Sequence, residues 1–134
     1  RLKADFDRAI PAFKSLKSEL LRAFKRGYLK GLDGRALSVR SEHRCLSQLL
    51  QSAGAIICKE WVKLIDLELT KTGSKAYIMG WIHDEVQIAC PNEEVGHVTG
   101  DLARRMAKEA GIALKVSIDI DAEYSLGRTW ADTH

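Results

Sequence analysis

The sequence holds little of what would mark a disulfide-rich or membrane-spanning protein. It has 3 cysteines in 134 residues, Cys45, Cys58 and Cys90, with no Cys-x-x-Cys pair among them. An odd count without paired spacing argues against a disulfide framework and fits a reducing cytoplasm. No apolar run approaches the roughly 20 residues that a membrane span needs, and the first residues show no secretory signal pattern. We therefore expect no membrane partner.

Charge of one sign and ready-made catalytic motifs are scarce as well. The 21 Lys and Arg residues exceed the 18 Asp and Glu residues by only 3. A solvated surface explains such an excess as well as a nucleic-acid partner does. Glycine-rich phosphate loops, nucleophile elbows and His or Cys residues at metal-ligand spacing are missing. The chain is long enough for one domain or for part of a larger one.

The first part of the chain has the apolar period of an amphipathic helix. The residues of this stripe are Leu2, Phe6, Ile10, Phe13, Leu16, Leu20 and Phe24. Pro11 predicts a break near residue 10 and a new helix from Pro11, which Gly27 should end. Asp33-Gly34 then predicts a tight turn in a small two-stranded element within residues 28–40.

A long helix with one polar stripe is predicted next. Ser41 is the expected N-cap, and helical periodicity runs over residues 42–70, about 40 Å at 1.5 Å per residue. Its polar stripe has spacing i, i+4, i+7, i+11 and consists of Arg40, Arg44, Ser47 and Gln51. Arg can bind phosphates through charge-assisted hydrogen bonds, and Gln can donate hydrogen bonds to the acceptors that every base pair presents in the minor groove. A solvated helix face remains the alternative.

Two apolar arms, residues 76–82 and 86–90, surround the polar tip His83, Asp84 and Glu85, which is the pattern of a β-hairpin. Two adjacent carboxylates on a buried sheet would resist desolvation without a cation. A divalent metal with oxygen ligands would supply that cation. The alternative is an exposed turn whose polar residues face water.

The last part of the chain combines a helix and an alternating segment. A helix is predicted over residues 93–110, with Gly111 at its end, and a half-buried strand over residues 115–124. That strand would place Asp119, Asp121 and Glu123 on one face. The order of helices and strands indicates an α+β fold with an antiparallel sheet.

Four segments, in the same order, resemble the C-terminal part of family A DNA polymerases, particularly the phage replicative branch. They are GLDGR (31–35), VRSEHRCLSQLLQSAGA (39–55), AYIMGWIHDEVQIAC (76–90) and GRTWADTH (127–134). The resemblance implies a single partial domain over residues 1–134. Its expected core is an antiparallel palm-type sheet with a β-hairpin bearing His-Asp-Glu, packed by long helices.

The resemblance also implies roles for individual residues. Asp84 would be a catalytic residue that ligates Mg²⁺, two ions being needed in the complete site, and Glu85 would be an accessory catalytic and metal-binding carboxylate. His83 would contact the primer end. Gln51 would reach the minor groove of the nascent duplex, with Arg40 in the same duplex-contacting region. The family usually has Asn at the position of Ser47, and the shorter hydroxyl puts a contact there in doubt.

The family's first palm aspartate, and the fingers helix whose Lys and Tyr bind the incoming nucleotide, belong to segments outside this sequence. The implied partners are therefore primer–template DNA, deoxynucleoside triphosphates and an upstream polymerase segment, in a bacterial or phage-infected cytoplasm. We expect the isolated chain to be inactive, and to self-associate through apolar surface that includes Phe6 and Phe13.

Two other interpretations stay open. One is a non-catalytic remnant that binds DNA or another protein. The other is a small metal phosphodiesterase built on the carboxylate tip alone.

Overall fold

The computed structural model describes residues 9–133. Three α-helices and two small antiparallel sheets follow one another, so the predicted α+β class is confirmed. The elements are α1 (Pro11–Arg26), β1 (Tyr28–Lys30), β2 (Ala36–Ser38), α2 (Cys45–Lys71), β3 (Tyr77–Ile82), β4 (Glu85–Ala89) and α3 (Glu93–Ala113), with 3-10 turns at Glu42–Arg44 and Trp130–Asp132. The chain divides into two compact units, with the boundary after Ala53.

Helix α1 begins and ends where the sequence predicts. Pro11 opens it, and Gly27 closes it at φ 92°, donating its N–H to the Phe24 carbonyl. A residue with a Cβ would be strained at this φ. Leu2 and Phe6, which the sequence placed in the preceding stripe, lie outside the described residues.

The small hairpin of the first unit also follows the prediction. β1 pairs with β2, and Gly34 takes φ 84° in the turn between them. Arg35 donates to the Asp33 carboxylate and holds the pKa of that carboxyl below its usual value. The hairpin packs with α1 around a core of buried residues, namely Leu20, Ala23, Leu29 and Cys45.

The start of the long helix differs from the prediction. Ser41 occupies the cap position, but its hydroxyl makes no capping hydrogen bond. A 3-10 turn at Glu42–Arg44 precedes the α-helix, and Cys45 donates its thiol to the Ser41 carbonyl at 3.5 Å. The helix ends at Lys71, close to the predicted limit of residue 70. Gly73 follows it at φ 63°, and the N–H of Ser74 bonds to the carbonyl of Leu69.

In the second unit, hairpin β3–β4 packs against α2 and α3. The core consists of Ile65, Leu69, Ala76, Leu102 and Ala103, and the hairpin adds Ile78, Val86 and Ile88 to it. Trp61 of α2 packs against the same core and donates its indole N–H to the Ala103 carbonyl of α3 at 2.8 Å. This bond satisfies the polar atom of a large, partly buried ring and fixes the spacing of the two helices.

Helix α3 runs beyond its predicted end. Asn92 caps its start by accepting the Val95 N–H. The helix continues through Gly111, because the closing bonds lie further along: Val116 N–H to the Gly111 carbonyl and Lys115 N–H to the Ile112 carbonyl. This is a Schellman motif whose left-handed residue is Lys115, at φ 56°, and not the glycine that the sequence suggested.

The prediction of a strand over residues 115–124 is wrong. The segment has no strand partner within residues 9–133 and lies instead along α3. Ile120 packs over Gly111, and Tyr124 packs over Gly100. Arg104 donates to the Ala122 carbonyl at 3.1 Å and pairs with Asp121 at 3.5 Å. Alternation predicts an extended chain, but a strand also needs a neighbour to pair with.

The carboxylates of this segment, Asp119, Asp121 and Glu123, are all exposed. The Ala122 N–H and the cations Arg104 and Lys108 hold the pKa of Asp121 below its usual value.

Among the helices that the structure describes, none is both long and apolar enough to cross a bilayer.

The close approach of Tyr124 to helix α3 predicts a stability effect at Gly100. A Cβ at this position would overlap the Tyr124 ring, so Gly100→Ala should destabilise the chain by about 1–3 kcal/mol through overpacking. Thermal unfolding measures this. The control is Gly54→Ala, where a Cβ would meet nothing within 4 Å, and where a helical alanine should stabilise by about 0.5–1 kcal/mol. Equal effects at the two positions would contradict the packing.

Candidate active site

The polar tip of hairpin β3–β4 is a two-residue turn. Ile82 pairs with Glu85, so only His83 and Asp84 lie between the strands. The sequence placed Glu85 in the tip, whereas it is the first residue of β4. His83 and Asp84 are exposed and Glu85 is half-buried. The turn therefore presents the Asp84 carboxylate to solvent and leaves Glu85 at the end of the sheet.

The turn has an unusual backbone that a side chain stabilises. His83 takes φ 55°, a region that residues with a Cβ rarely adopt. The indole N–H of Trp81 donates to the His83 carbonyl at 2.7 Å. This hydrogen bond ties the turn to strand β3, which leads into it.

Glu85 has its own partner on β4. The Gln87 side-chain amide donates to the Glu85 carboxylate. Val86 and Ile88 pack on the core, so Glu85 and Gln87, which alternate with them, lie on the opposite face of the hairpin. The amide restricts the carboxylate without neutralising it.

Helix α2 passes near the tip. Partial burial raises the pKa of the Cys58 thiol, and the negative charge of Asp84 raises it further. Burial and the nearby carboxylate thus both disfavour the thiolate form of Cys58. This neighbourhood had no signal in the sequence, because 26 residues separate the two side chains along the chain.

The carboxylates of the hairpin fit a hard divalent cation in chemical type. Asp84 and Glu85 offer the oxygen ligands that Mg²⁺ prefers, and Mg²⁺ commonly takes only one or two carboxylates from a protein. No cluster of three His, Cys, Asp or Glu side chains suited to a metal ion occurs within residues 9–133. Metal binding by Asp84 and Glu85 therefore stays a prediction.

The predicted polar stripe lines one open groove in the first unit. Its volume is about 440 Å³, and its lining comprises Ser38, Arg40, Arg44, Ser47, Gln48 and Gln51. Gln48 donates to the Ser38 carbonyl at 2.6 Å, which ties the start of α2 to strand β2. The Ser47 hydroxyl donates to the Arg44 carbonyl at 3.2 Å, so its one hydrogen is used within the helix. Arg40, Arg44 and Gln51 are exposed.

Comparison with known proteins identifies the family to which the chain belongs. Residues 17–132 match the model of DNA polymerase family A. The chain belongs to DNA polymerase family A. It is 40% identical over 118 residues to the DNA-directed DNA polymerase of Enterobacteria phage T3, covering 83% of this chain and 17% of that protein. The match to the polymerase of Escherichia phage T7 has the same identity and coverage.

More distant members of the family match too. DNA polymerase I of Aquifex aeolicus is 28% identical over 132 residues, 96% of this chain and 23% of that protein. A solved structure, the POL domain of Pol1 from M. smegmatis in complex with DNA primer-template and dNTP, superposes with a TM-score of 0.74 at 21% identity. It matches 98% of this chain and 25% of that one. The chain thus spans about a fifth of the length of these polymerases.

Family membership leaves the roles of individual side chains as predictions. The structure places His83, Asp84 and Glu85 together on one hairpin, and Arg40, Arg44, Ser47 and Gln51 together in one groove. Trp81 belongs to the apolar arm of residues 76–82, yet it is 38% exposed and its indole bonds to the tip. Gln87 had no assigned role, and it contacts Glu85. For Trp81, its place two residues before the tip was the available signal.

The neighbourhood of Cys58 predicts a measurable reactivity. Alkylation proceeds through the thiolate, so the raised pKa should make Cys58 react more slowly than a free thiol near pH 8. Asp84→Asn removes the repelling charge and should speed alkylation, by less than about tenfold since tenfold would need a full pKa unit. Rates at Cys58 can be followed by mass spectrometry. Asp66→Asn, an exposed carboxylate on the same helix, is the control; an unchanged rate in Asp84→Asn would contradict the proximity.

Proposed function

We propose that this chain is the C-terminal palm segment of a DNA-directed DNA polymerase, and that it contributes Asp84 to a site completed by an upstream segment. The observation that carries the proposal is the exposed Asp84 carboxylate on a two-residue hairpin turn that the Trp81 indole holds by a hydrogen bond. The chain that presents this carboxylate belongs to DNA polymerase family A. The likeness to phage replicative polymerases at 40% identity supports it.

The chemistry assigned to the tip is cation binding. Asp84 would hold Mg²⁺ directly, with Glu85 as a nearby accessory ligand and a further carboxylate from the upstream segment. Bound Mg²⁺ would make the primer 3′-hydroxyl a better nucleophile and neutralise charge on the departing pyrophosphate. The exposed His83 side chain would contact the primer end.

The groove of the first unit would receive the duplex. Arg40 and Arg44 would neutralise phosphates, and Gln51 would donate to minor-groove acceptors, which are similar in all base pairs. This set suits binding that follows duplex shape without reading sequence. Ser47 would add little, because its hydroxyl hydrogen already bonds within the helix.

The missing segments define the partners. A chain that covers 17% of the phage relatives needs the remaining palm aspartate and the nucleotide-binding fingers from elsewhere. Primer–template DNA and a deoxynucleoside triphosphate are the partners named for the similar M. smegmatis structure, and we propose them here. Self-association of the isolated chain stays a prediction.

The first experiment is Mg²⁺-dependent primer extension by the full chain, alone and mixed with an upstream family A fragment. We expect extension only in the mixture, and we expect Asp84→Asn to reduce it by more than about 100-fold. That is a larger loss than the 10- to 100-fold typical of an outer-shell partner of a metal. Asp66→Asn, exposed on α2, is the matched control and should retain activity.

Three outcomes would contradict the proposal. Full activity of Asp84→Asn in an active mixture would remove this residue from the site. Absence of extension by a mixture that is folded, associated and bound to DNA would favour a non-catalytic binding remnant. Nuclease activity of the chain alone, lost in Asp84→Asn, would favour a metal phosphodiesterase.

The groove predicts a salt-dependent affinity for primer–template duplex. Each phosphate contact contributes about 0.9 to the slope of log K against log salt concentration. Arg40→Gln should therefore make that slope less negative by about 0.9. Arg35→Gln removes the same charge, but Arg35 is paired with Asp33 at 2.5 Å outside the groove. Fluorescence anisotropy over a salt series measures both, and equal effects of the two substitutions would count against the groove as the contact.

A further inference from the structure

We propose that Trp81 is a positioning residue for Asp84, acting through the carbonyl of His83. This inference rests on the proposed function, since Asp84 must be the metal-binding residue for its position to matter in catalysis. The contact that carries it is the hydrogen bond from the Trp81 indole N–H to the His83 carbonyl, 2.7 Å long.

A break in strand register places the indole where it can reach that carbonyl. Ile78 pairs with Ile88, but the register shifts at Met79, so Gly80 pairs with Gln87 and Trp81 with Val86. The shift has the form of a β-bulge, which changes the face on which the following residues lie. Trp81 thereby lies on the same face of the hairpin as its pairing partner Val86, which packs on the core.

The His83 carbonyl is an effective point at which to hold Asp84. It belongs to the same planar peptide group as the Asp84 N–H, so fixing the carbonyl fixes the plane from which Asp84 continues. The turn needs such support, because His83 takes φ 55° without being glycine. Without the indole bond, this peptide plane could rotate and carry the Asp84 carboxylate with it.

The role assigned to Trp81 differs from that of an ordinary packing residue. Its side chain is 38% exposed, and its polar atom bonds to the turn that it precedes. Trp61 provides the contrast in the same unit: its indole also donates to a carbonyl, at 2.8 Å, but the acceptor is Ala103 in helix α3. The chain thus contains a matched indole–carbonyl bond away from the tip.

The first test compares Trp81→Phe with Trp61→Phe in the full chain. Each substitution keeps an aromatic ring and removes one indole N–H. The readout is the ¹⁵N order parameter of the Asp84 amide, for which rigid backbone gives about 0.85 and flexible backbone less than about 0.6. We expect the rigid value in the parent chain and in Trp61→Phe, and the flexible value in Trp81→Phe. An unchanged order parameter in Trp81→Phe, or an equal fall in Trp61→Phe, would overturn the inference.

The second test is steady-state extension by the chain mixed with its upstream segment. Trp81→Phe should lower kcat by about 10- to 100-fold, because a displacement of about 1 Å at a reacting centre costs rate on that scale. The KM for nucleotide and the affinity for DNA should stay within about twofold, since the indole N–H of Trp81 bonds to the turn backbone. Trp61→Phe should keep kcat at temperatures where it is folded.

The two tests separate this inference from the proposed function. A parent mixture that does not extend primers refutes the proposed function, and the order parameter alone then decides whether Trp81 holds the turn. A mixture in which Trp81→Phe keeps full kcat while the parent is active overturns the positioning role. A parallel rise of KM and fall of affinity would assign Trp81 to binding and would overturn it as well.

Discussion

The candidate site depends on one constraint, the packing of hairpin β3–β4 on helices α2 and α3. Ile78, Val86 and Ile88 anchor the hairpin in the core of the second unit. Because side chains alternate along a strand, this anchoring sends Glu85 and Gln87 to the other face. The turn that follows from the register then has room for only His83 and Asp84. A shift of one residue would move every side chain to the wrong face, so the apolar contacts fix the position of the carboxylates.

The stretches that fold through local interactions were predictable from sequence. Pro11, Gly27 and Gly73 mark helix ends because each acts through its own backbone angles. Features that depend on contacts between residues distant along the chain were not predictable. The end of α3 depends on bonds that reach Lys115 and Val116, and the alternation of residues 115–124 indicates an extended chain without naming its partner. Whether such a segment becomes a strand is decided by a neighbour.

The residues of the candidate site were predictable from the sequence, whereas the contacts between them were less so. The adjacency of His83, Asp84 and Glu85 follows from the sequence, and the structure keeps them on one hairpin. The predicted polar stripe does line one groove, but Arg40 and Arg44 precede helix α2, which begins at Cys45. The bond from Trp81 to the turn, the approach of Cys58 to Asp84 and the engaged hydroxyl of Ser47 required coordinates. Family membership then supplies a function for this arrangement, whereas the roles of single residues remain proposals.

Binding of a divalent cation by Asp84, in the assembly with an upstream segment, is the proposal on which the proposed function depends. Iron-mediated backbone cleavage tests it most directly: Fe²⁺ replaces Mg²⁺ in the chain assembled with its upstream segment and DNA, and the radicals it generates cut the backbone beside its ligands. We expect cuts at the β3–β4 turn that excess Mg²⁺ suppresses and that Asp84→Asn abolishes. Cuts that persist at the turn in Asp84→Asn, or that occur only elsewhere, would contradict it.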